Sequence, residues 1–515
     1  MKTLRHAVLD YLRRKALAGG YSWNINKISL LIEALTYLLM PAPPLITYLI
    51  TKSLFLSLIL VLIPALPILL TLIWAMYAVD AVRENVEWEL PFFIVLLDIV
   101  HDVGGDITHA FELSGKVGLK WIGREWSLIK RYALTTNSIT RAMQLRARLH
   151  PSIEFQRFIN GYVSVWGYSG DVSNYVRSVE GTYLSTLSNK LSSLSKQIID
   201  IVVAIVSSLI VLILFVIITT ILGMNYAILY IMPAVALLLP AIIMRVYQSI
   251  PYIIRIDLTH DRNTYMALGT SIIITVTSMA YLGLKGMMLL MLPPLIFSIL
   301  VTRRINDMKN SIMALPDLAR DVSEIVKAGV SMGAAFERVL DNPYPRPLIT
   351  YLQRMNQLND NVKVDGPWII KFTIGILKEL SNLGSPSKAL DRLVEVLLEL
   401  KSIITSISYG SRSLQLLNYA LPIIFAGVTY MGRFVISAIG SILKNAPYAL
   451  VGLSIPSINT VLMPLLLTAY IISLSVSLLT SLLSNLTINP TIRYALPIPL
   501  TLALMFMAVE IPVLA

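Results

Sequence analysis

The residues whose types and spacing come closest to a chemical site are acids and histidines between positions 98 and 109. In chain order they are Asp98, His101, Asp102, Asp106 and His109. Residues four apart share a face of a helix, so Asp98 and Asp102 would point the same way, with His101 nearby. Carboxylates and imidazoles grouped in this way could hold a metal ion.

A structural interpretation of this group is favoured over a metal site. A second copy of the stretch, described below, has Ser323 and Val326 where the first has Asp98 and His101. We therefore expect a solvated helix face, with Asp106 as the N-cap of the next helix. We expect no metal and no other cofactor.

No motif for nucleotide binding or hydrolysis is present. The nearest fragment of a phosphate-binding loop, Ser114-Gly115-Lys116, has Ala110 where the first glycine must stand, which excludes a nucleotide cradle of that kind. The chain has no G-x-S-x-G segment and no H-E-x-x-H segment. Its lack of cysteine removes disulfides and thiolate metal sites.

The composition is that of a membrane protein. Of the 515 residues 56% are hydrophobic and 14% are charged, and the mean hydropathy is +0.71. A helix needs about 20 apolar residues to cross a bilayer, and nine runs of this kind predict an all-α polytopic membrane protein. The predicted spans are 29–50, 54–79, 198–222, 226–246, 264–282, 285–301, 414–440, 460–483 and 491–513.

Two distant stretches repeat each other in one register. The first contains Leu90-Pro91, Gly104 and Ala110-Phe111-Glu112, and the second, at an offset of 225, contains Leu315-Pro316, Gly329 and Ala335-Phe336-Glu337. A match without gaps inside a matching hydropathy layout is typical of an internal repeat. With an even number of spans between the copies, the repeat is predicted to be parallel.

Each copy is predicted to fold as helical hairpins. Gly104 and Gly329 stand where a helix C′ residue is expected, and an N-cap residue follows two places later. Another hairpin follows in each copy at Gly170 and Gly384, now at an offset of 214, so one insertion or deletion lies between the two hairpins. The structural positions of the repeat are predicted to be Pro91, Gly104, Phe111, Gly170, Pro316, Gly329, Phe336 and Gly384, with both phenylalanines in the hairpin cores.

These elements divide the chain into six segments. They are a basic cytoplasmic N-terminus (1–28), a transmembrane pair (29–79), a first cytoplasmic helical domain (80–197), four transmembrane helices (198–301), a second cytoplasmic helical domain (302–413) and three transmembrane helices (414–513).

The orientation follows from the charge of the short connecting segments. With the N-terminus inside, the short inside segments carry ten Lys and Arg and the short outside turns carry three. This asymmetry predicts an inside N-terminus and two cytoplasmic domains. The excess of positive charge is greatest before the first span, which favours attraction to anionic lipid headgroups. No basic stripe interleaved with aromatic residues is present, so nucleic acid is not an expected partner.

Few charges lie within the predicted spans, and Arg433 is the best candidate for a buried, partnered charge. A secondary transporter or channel built on the parallel repeat would be expected to show more polar residues at mid-membrane. Such a transporter stays the main alternative, and a membrane scaffold for an unrelated assembly is a third.

The two copies of Leu-Pro … Gly … Ala-Phe-Glu, with the later hairpins at Gly170-Asp171 and Gly384-Ser385, resemble the type II secretion F family. This family comprises the platform proteins of type IV pili, type II secretion and the archaellum. The membrane layout looks like that of the archaeal members, which have extra spans and two cytoplasmic helical domains. The resemblance covers nearly the whole chain.

This resemblance implies a non-enzymatic protein of the cytoplasmic membrane. Its partners would be a hexameric secretion ATPase, pilin or archaellin subunits, the lipid bilayer and a second copy of the chain in a homodimer. The surface gripped by the ATPase should be polar and of mixed charge, because it must release in each cycle. The candidate contacts are Asp102, Asp106, Glu112, Lys116, Arg320, Lys327, Glu337 and Arg338.

Overall fold

The structure is a computed structural model of the chain. It describes residues 2–21, 66–168, 172–221, 231–256, 262–283, 285–356, 366–384, 387–445 and 458–510, and the single residues 23, 27, 28, 30, 34 and 258. The chain divides into two compact units, Met1–Ser185 and Thr186–Ala515.

The described residues form helices and no strands, which confirms the all-α polytopic membrane class. Six helical stretches within them are long and apolar enough to cross a membrane, and they overlap the last six predicted spans. The predicted span 29–50 lies almost wholly outside the described residues, and 54–79 is described only from Leu66. The count of nine spans therefore stays a prediction.

The first unit is a bundle of helices around one central helix. Its helices are α1 (Lys2–Gly19), α2 (Leu66–Asp102), α3 (Ile107–Lys116), α4 (Lys120–Thr136), α5 (Ile139–Leu149), α6 (Ile153–Tyr168) and the beginning of α7 (Val172–Ile221). Every residue of α2 from 89 to 100 is buried, including Pro91 in the helix interior. A helix that is buried on all sides lies at the centre of its bundle, and α2 takes that place here.

Helix α1 is attached to the bundle through its C-terminal end. The guanidinium groups of Arg146 and Arg124 donate hydrogen bonds of 3.0–3.2 Å to the carbonyl oxygens of residues 17–20. The last carbonyl groups of a helix have no partners within the helix, and a positive charge complements the helix dipole there. Arg146 is fully buried and also donates to the carboxylate of Glu125 at 2.5 and 3.0 Å. This buried ion pair therefore holds the N-terminal helix against the bundle.

His150 lies beside this pair and is buried in its neutral form. Burial and the positive charge of Arg146 lower the pKa of His150 from 6.5 to about 3. Its Nδ1 accepts a hydrogen bond of 3.0 Å from the backbone N–H of Ser152. The unfolded chain binds a proton at this histidine near pH 6.5, whereas the folded chain does not until about pH 3. The stability that results is complete above pH 6.5 and is lost as the pH falls toward 3.

We expect replacement of His150 by glutamine to flatten the pH dependence of stability. Between pH 7 and pH 5 the wild-type chain should lose on the order of 2 kcal/mol through this group alone, and the variant should not. The denaturation midpoint of the full chain in detergent, measured at both pH values, checks the expectation. His109→Gln is the matched control, and equal slopes for wild type and His150→Gln would contradict the account.

The second unit combines a further bundle with the membrane helices. Its helices are the rest of α7, then α8 (Ile231–Ala236), α9 (Leu239–Ser249), α10 (Arg262–Leu282), α11 (Leu292–Lys327), α12 (Met332–Val339), α13 (Arg346–Asn356), α14 (Trp368–Asn382), α15 (Ser387–Gly410), α16 (Arg412–Asn445), α17 (Ile458–Asn485), α18 (Ile492–Ala495) and α19 (Pro497–Glu510). A 3₁₀ turn, Lys285–Met291, precedes α11. Pro316 lies in the interior of α11, as Pro91 does in α2.

The last membrane helices are joined by polar contacts as well as by apolar packing. The side-chain amide of Asn418 and the hydroxyl of Ser477 both donate to the Tyr494 carbonyl, at 3.1 and 2.6 Å. Within a bilayer such groups have no water to bind. Arg433 on α16 is half-buried and donates to the backbone carbonyl of Val509, near the end of α19. It therefore serves as a contact between these two helices.

Candidate partner-binding hairpins

The first predicted hairpin is present in both units with the same turn. Gly104 has φ +81° and Gly329 has φ +84°, a left-handed conformation that glycine adopts at little cost. In each case the backbone N–H of the residue after the glycine donates a hydrogen bond to the carbonyl oxygen five residues earlier. Gly105 donates to Val100 at 2.9 Å and Val330 donates to Ile325 at 3.4 Å. This pattern ends α2 and α11 in the same way and turns the chain into α3 and α12.

Asp106 is the N-cap of α3, as predicted. Its carboxylate accepts hydrogen bonds from the backbone N–H of His109 at 3.0 Å and from the hydroxyl of Thr108 at 2.6 Å. Burial alone would raise the pKa of Asp106, but these hydrogen bonds outweigh it and the pKa is lowered. Ser331 occupies the same position before α12, but its side chain accepts no hydrogen bond from the backbone of that helix.

The phenylalanine of each hairpin is in a core. Phe111 stacks on Trp126 with ring centroids 5.2 Å apart and lies 4.5 Å from Phe93. Phe336 is 3% exposed. Both side chains therefore stabilise the hairpins and offer little surface to a partner.

The later hairpins are described only in part. Gly384 has φ +91° and stands in the turn between α14 and α15. Gly170 lies outside the described residues, between the end of α6 and the beginning of α7.

The group of acids and histidines is structural, but its face is not solvated as predicted. Asp98 is 1% exposed and lies 3.5 Å from Arg177, a residue of α7. Arg177 also donates to Asp102 at 2.7 Å. His101 lies 3.4 Å from the hydroxyl of Tyr162, and its pKa is lowered because burial outweighs the nearby carboxylates. The described residues contain no group of His, Asp and Glu arranged to hold a metal ion.

The two units contain ion pairs of opposite polarity at matching positions. In the first unit Asp102 pairs with Arg177, and in the second Lys327 pairs with Asp391, both at 2.7 Å. Lys327 follows Asp102 by 225 residues and Asp391 follows Arg177 by 214, the two offsets of the repeat. A helix packed into the wrong bundle would bring like charges together, so the reversal favours correct pairing of the duplicated helices.

The pair in the second unit includes one further donor. The hydroxyl of Ser323 donates to Asp391 at 2.7 Å, as Lys327 does. Burial would raise the pKa of Asp391, but these two hydrogen bonds outweigh it and lower the pKa.

An exposed stripe of mixed charge runs along α11. Asp317, Arg320 and Glu324, here called the α11 stripe, are all exposed. Spacings of three and four residues place them on one helix face. Asp317 lies 3.4 Å from Lys401 on α15. Arg320, one of the predicted ATPase contacts, therefore lies on an accessible surface that is polar and of mixed charge, as expected for such a contact.

The first unit has no equivalent of this stripe. At the repeat offset its three positions are Phe92, Val95 and Ile99, which are 0–1% exposed. The corresponding face of α2 is thus apolar and covered. The two domains cannot present the same surface to a partner at this face.

The remaining candidates fall into two groups. Asp102, Lys327 and Asp106 are engaged in ion pairs or in a cap within their own units. The others lie exposed on the short helices that follow the turns. These are Glu112 and Lys116 on α3, one turn apart, and Glu337 and Arg338 on α12.

Three important residues were not identified from the sequence. Glu89 is fully buried and accepts hydrogen bonds from the backbone N–H groups of Trp121 at 2.9 Å and Ile122 at 2.7 Å, which caps α4. Its signal was an acid directly before the apolar run 90–97. Arg177 and Asp391 could have been found by following the offset of 214 beyond the glycines.

One comparison with known proteins found a match, which begins in the first unit and continues to the end of α7. Residues 93–220 match the family described as type II secretion system (T2SS), protein F. No curated protein and no solved structure matches the chain. The match begins in the buried part of α2 and ends in α7. It includes the hairpin at Gly104 and the ion pair of Arg146 with Glu125. Residues 93–220 of this multi-pass membrane protein are therefore similar to the type II secretion system protein F family, the family predicted from the sequence, and the match covers this part of the chain alone.

Proposed function

We propose that this chain is a non-enzymatic membrane platform that couples a cytoplasmic secretion ATPase to the assembly of a type IV pilus-like filament. The family domain at residues 93–220 is the observation that carries the proposal. Its members are platform proteins of secretion and pilus machines. The filament's pilin or archaellin subunits and the ATPase would be separate chains.

Long unbroken helices support a mechanical role. Helix α7 has 50 residues, which is about 75 Å at 1.5 Å per residue. It begins in the predicted cytoplasmic segment 80–197 and continues through the predicted span 198–222 as far as Ile221. Helix α11 likewise continues from the predicted span 285–301 to the hairpin at Gly329. A push on a hairpin would be transmitted along such helices into the membrane.

The α11 stripe is the contact that we propose for the ATPase. Its charges are exposed and of both signs, and exposed ion pairs are worth only about 0–1 kcal/mol each. Several such contacts would hold a partner and still release it in each cycle. Glu337 and Arg338 on α12 would extend the contact. The first domain would contribute differently, through Glu112 and Lys116.

The proposed setting is the cytoplasmic membrane, with the N-terminus inside and a homodimer as the working unit. The ten-to-three distribution of Lys and Arg supports this orientation. The duplicated domains and extra spans support an archaeal pilus or archaellum platform over a bacterial one.

An exchange of charge within the stripe tests the proposed contact. We expect Arg320→Glu combined with Glu324→Arg, which keeps the net charge, to weaken ATPase binding by about tenfold, or about 1.4 kcal/mol. The dissociation constant of the full-length protein in detergent, measured against the secretion ATPase encoded nearest to it, checks this.

The matched control exchanges another ion pair in the same domain. Arg392 and Glu395 on α15 lie 2.5 Å apart, and Arg392→Glu with Glu395→Arg should leave binding unchanged. Equal weakening by both exchanges, or by neither, would place the contact elsewhere.

A further inference from the structure

The hairpin formed by α4 and α5 is strongly basic. Between Lys120 and Leu149 it carries seven Lys and Arg and a single acid. That acid, Glu125, is buried and paired with Arg146. The charge that the hairpin presents to its surroundings is therefore positive only.

The end of this hairpin combines positive charge with exposed apolar side chains. The chain turns at Asn137, which has φ +50°. Leu134 before the turn is 82% exposed and Ile139 after it is 41% exposed. Lys130, Arg131 and Arg141 are exposed around them. These five side chains are called the hairpin tip below.

The segment that contains the hairpin is longer in the first copy than in the second. Between Glu112 and Gly161 the first copy is 11 residues longer than the second, as the two offsets show.

Contacts with α2 show the direction in which the hairpin runs. At its base, the backbone N–H of Trp121 donates a hydrogen bond to the carboxylate of Glu89. The hydroxyl of Ser152 donates to the carboxylate of Glu87 at 3.1 Å. One turn farther along α4, Arg124 reaches the carbonyl groups at the end of α1. The end of α1 lies beside an earlier part of α2, because Tyr21 donates to the Ala78 carbonyl at 3.2 Å. The hairpin thus extends back toward the beginning of α2.

The beginning of α2 belongs to a predicted membrane span and exposes apolar side chains. Residues 66–79 belong to the predicted second span, and Leu69, Leu70 and Ile73 are 51–62% exposed. Trp74 packs on Trp23 with ring centroids 4.8 Å apart, as expected of aromatic residues at a membrane surface. Leu134 lies ten residues beyond Arg124, or about 15 Å along α4. The hairpin tip therefore extends toward the part of α2 that is predicted to enter the bilayer.

We propose that the hairpin tip binds the surface of an anionic phospholipid bilayer. Lys130, Arg131 and Arg141 contact lipid phosphates, and Leu134 and Ile139 enter the boundary between headgroups and acyl chains. Basic residues around apolar ones are the pattern of interfacial membrane binding, and anionic lipids attract basic segments close to the bilayer. The contact restrains the family domain against the membrane, independently of any ATPase.

A spin label at position 134 tests the proposal directly. The chain has no cysteine, so Leu134→Cys gives one labelling site in the full-length protein. In nanodiscs containing phosphatidylglycerol, the label should be more accessible to oxygen and less accessible to a nickel chelate than a label in water. Tyr168→Cys is the control, since Tyr168 is 94% exposed at the opposite end of the domain, and its label should remain water-accessible.

Changes to the basic residues and to the lipid composition then test whether the tip binds anionic lipid. With the label at 134, the triple variant Lys130→Glu, Arg131→Glu, Arg141→Glu should lose its protection from nickel, and nanodiscs of phosphatidylcholine alone should reduce that protection. A label at 134 that stays water-accessible in anionic nanodiscs would overturn the proposal. So would protection that arises only when the secretion ATPase is added, because that result would assign the tip to an acidic protein.

Discussion

Replacement of Arg146 by methionine is expected to destabilise the first unit by about 3–5 kcal/mol, because one partner of a buried ion pair is removed. Glu125 would remain as a buried carboxylate without its cation, and the carbonyl groups of Leu17 and Ala18 would lose their donors. Denaturant unfolding of the full-length protein in detergent, followed by tryptophan fluorescence, measures the loss. Trypsin cleavage after Arg13 and Arg14, both exposed on α1, should also become faster.

A double variant separates lost packing from unpaired charge. Glu125→Leu with Arg146→Met leaves no buried charge and should recover much of the free energy of unfolding, since apolar residues of similar volume often replace a buried pair without loss. Cleavage of α1 should stay fast, because the carbonyl groups of Leu17 and Ala18 still lack the bonds from the Arg146 guanidinium. If Arg146→Met unfolds within about 1 kcal/mol of wild type, or if the double variant is the less stable of the two, the pair does not hold the helix as described.

Phe111→Ala is the second change with a large expected effect. It removes a ring that contacts both Trp126 and Phe93, and truncation of a buried phenylalanine costs about 3–5 kcal/mol. Phe336→Ala should act similarly on the second hairpin. Denaturant unfolding of the full chain checks both, and Phe111→Leu, which keeps most of the volume, should lose less than half as much.

The same variants test whether these side chains belong to the core or to a contact surface. Replacement of a core residue should lower the free energy of unfolding. The protein that remains folded should bind the ATPase as wild type does. A Phe336→Ala protein with unchanged stability and weaker ATPase binding would show that Phe336 is a contact residue instead.

Local rules predicted the hairpins well. Gly104 and Gly329 end their helices as expected, because a left-handed residue before a new helix has few alternatives to glycine. Asp106 caps α3 for an equally local reason, since its carboxylate reaches a backbone N–H three residues away. The all-α membrane class followed from the length of the apolar runs.

Contacts between distant residues could not be predicted in this way. Asp98 was expected to lie on a solvated helix face, because the second copy has Ser323 at the matching position, but its environment is set by Arg177 on α7. The N-terminal segment was interpreted by its charge alone, whereas Arg146 and Arg124 attach it as a helix. Burial of the face of α2 that corresponds to the α11 stripe depends on tertiary packing, which the repeat pattern does not encode.

We propose that this chain binds a secretion ATPase through residues 302–413. The most direct measurement is a pull-down of the purified full-length protein in detergent against the secretion ATPase encoded nearest to it, with and without nucleotide. We predict specific, nucleotide-dependent binding that is lost when residues 302–413 are replaced. Absence of binding to any such ATPase, together with substrate flux through the protein in liposomes, would contradict the account and favour a transporter built on the same repeat.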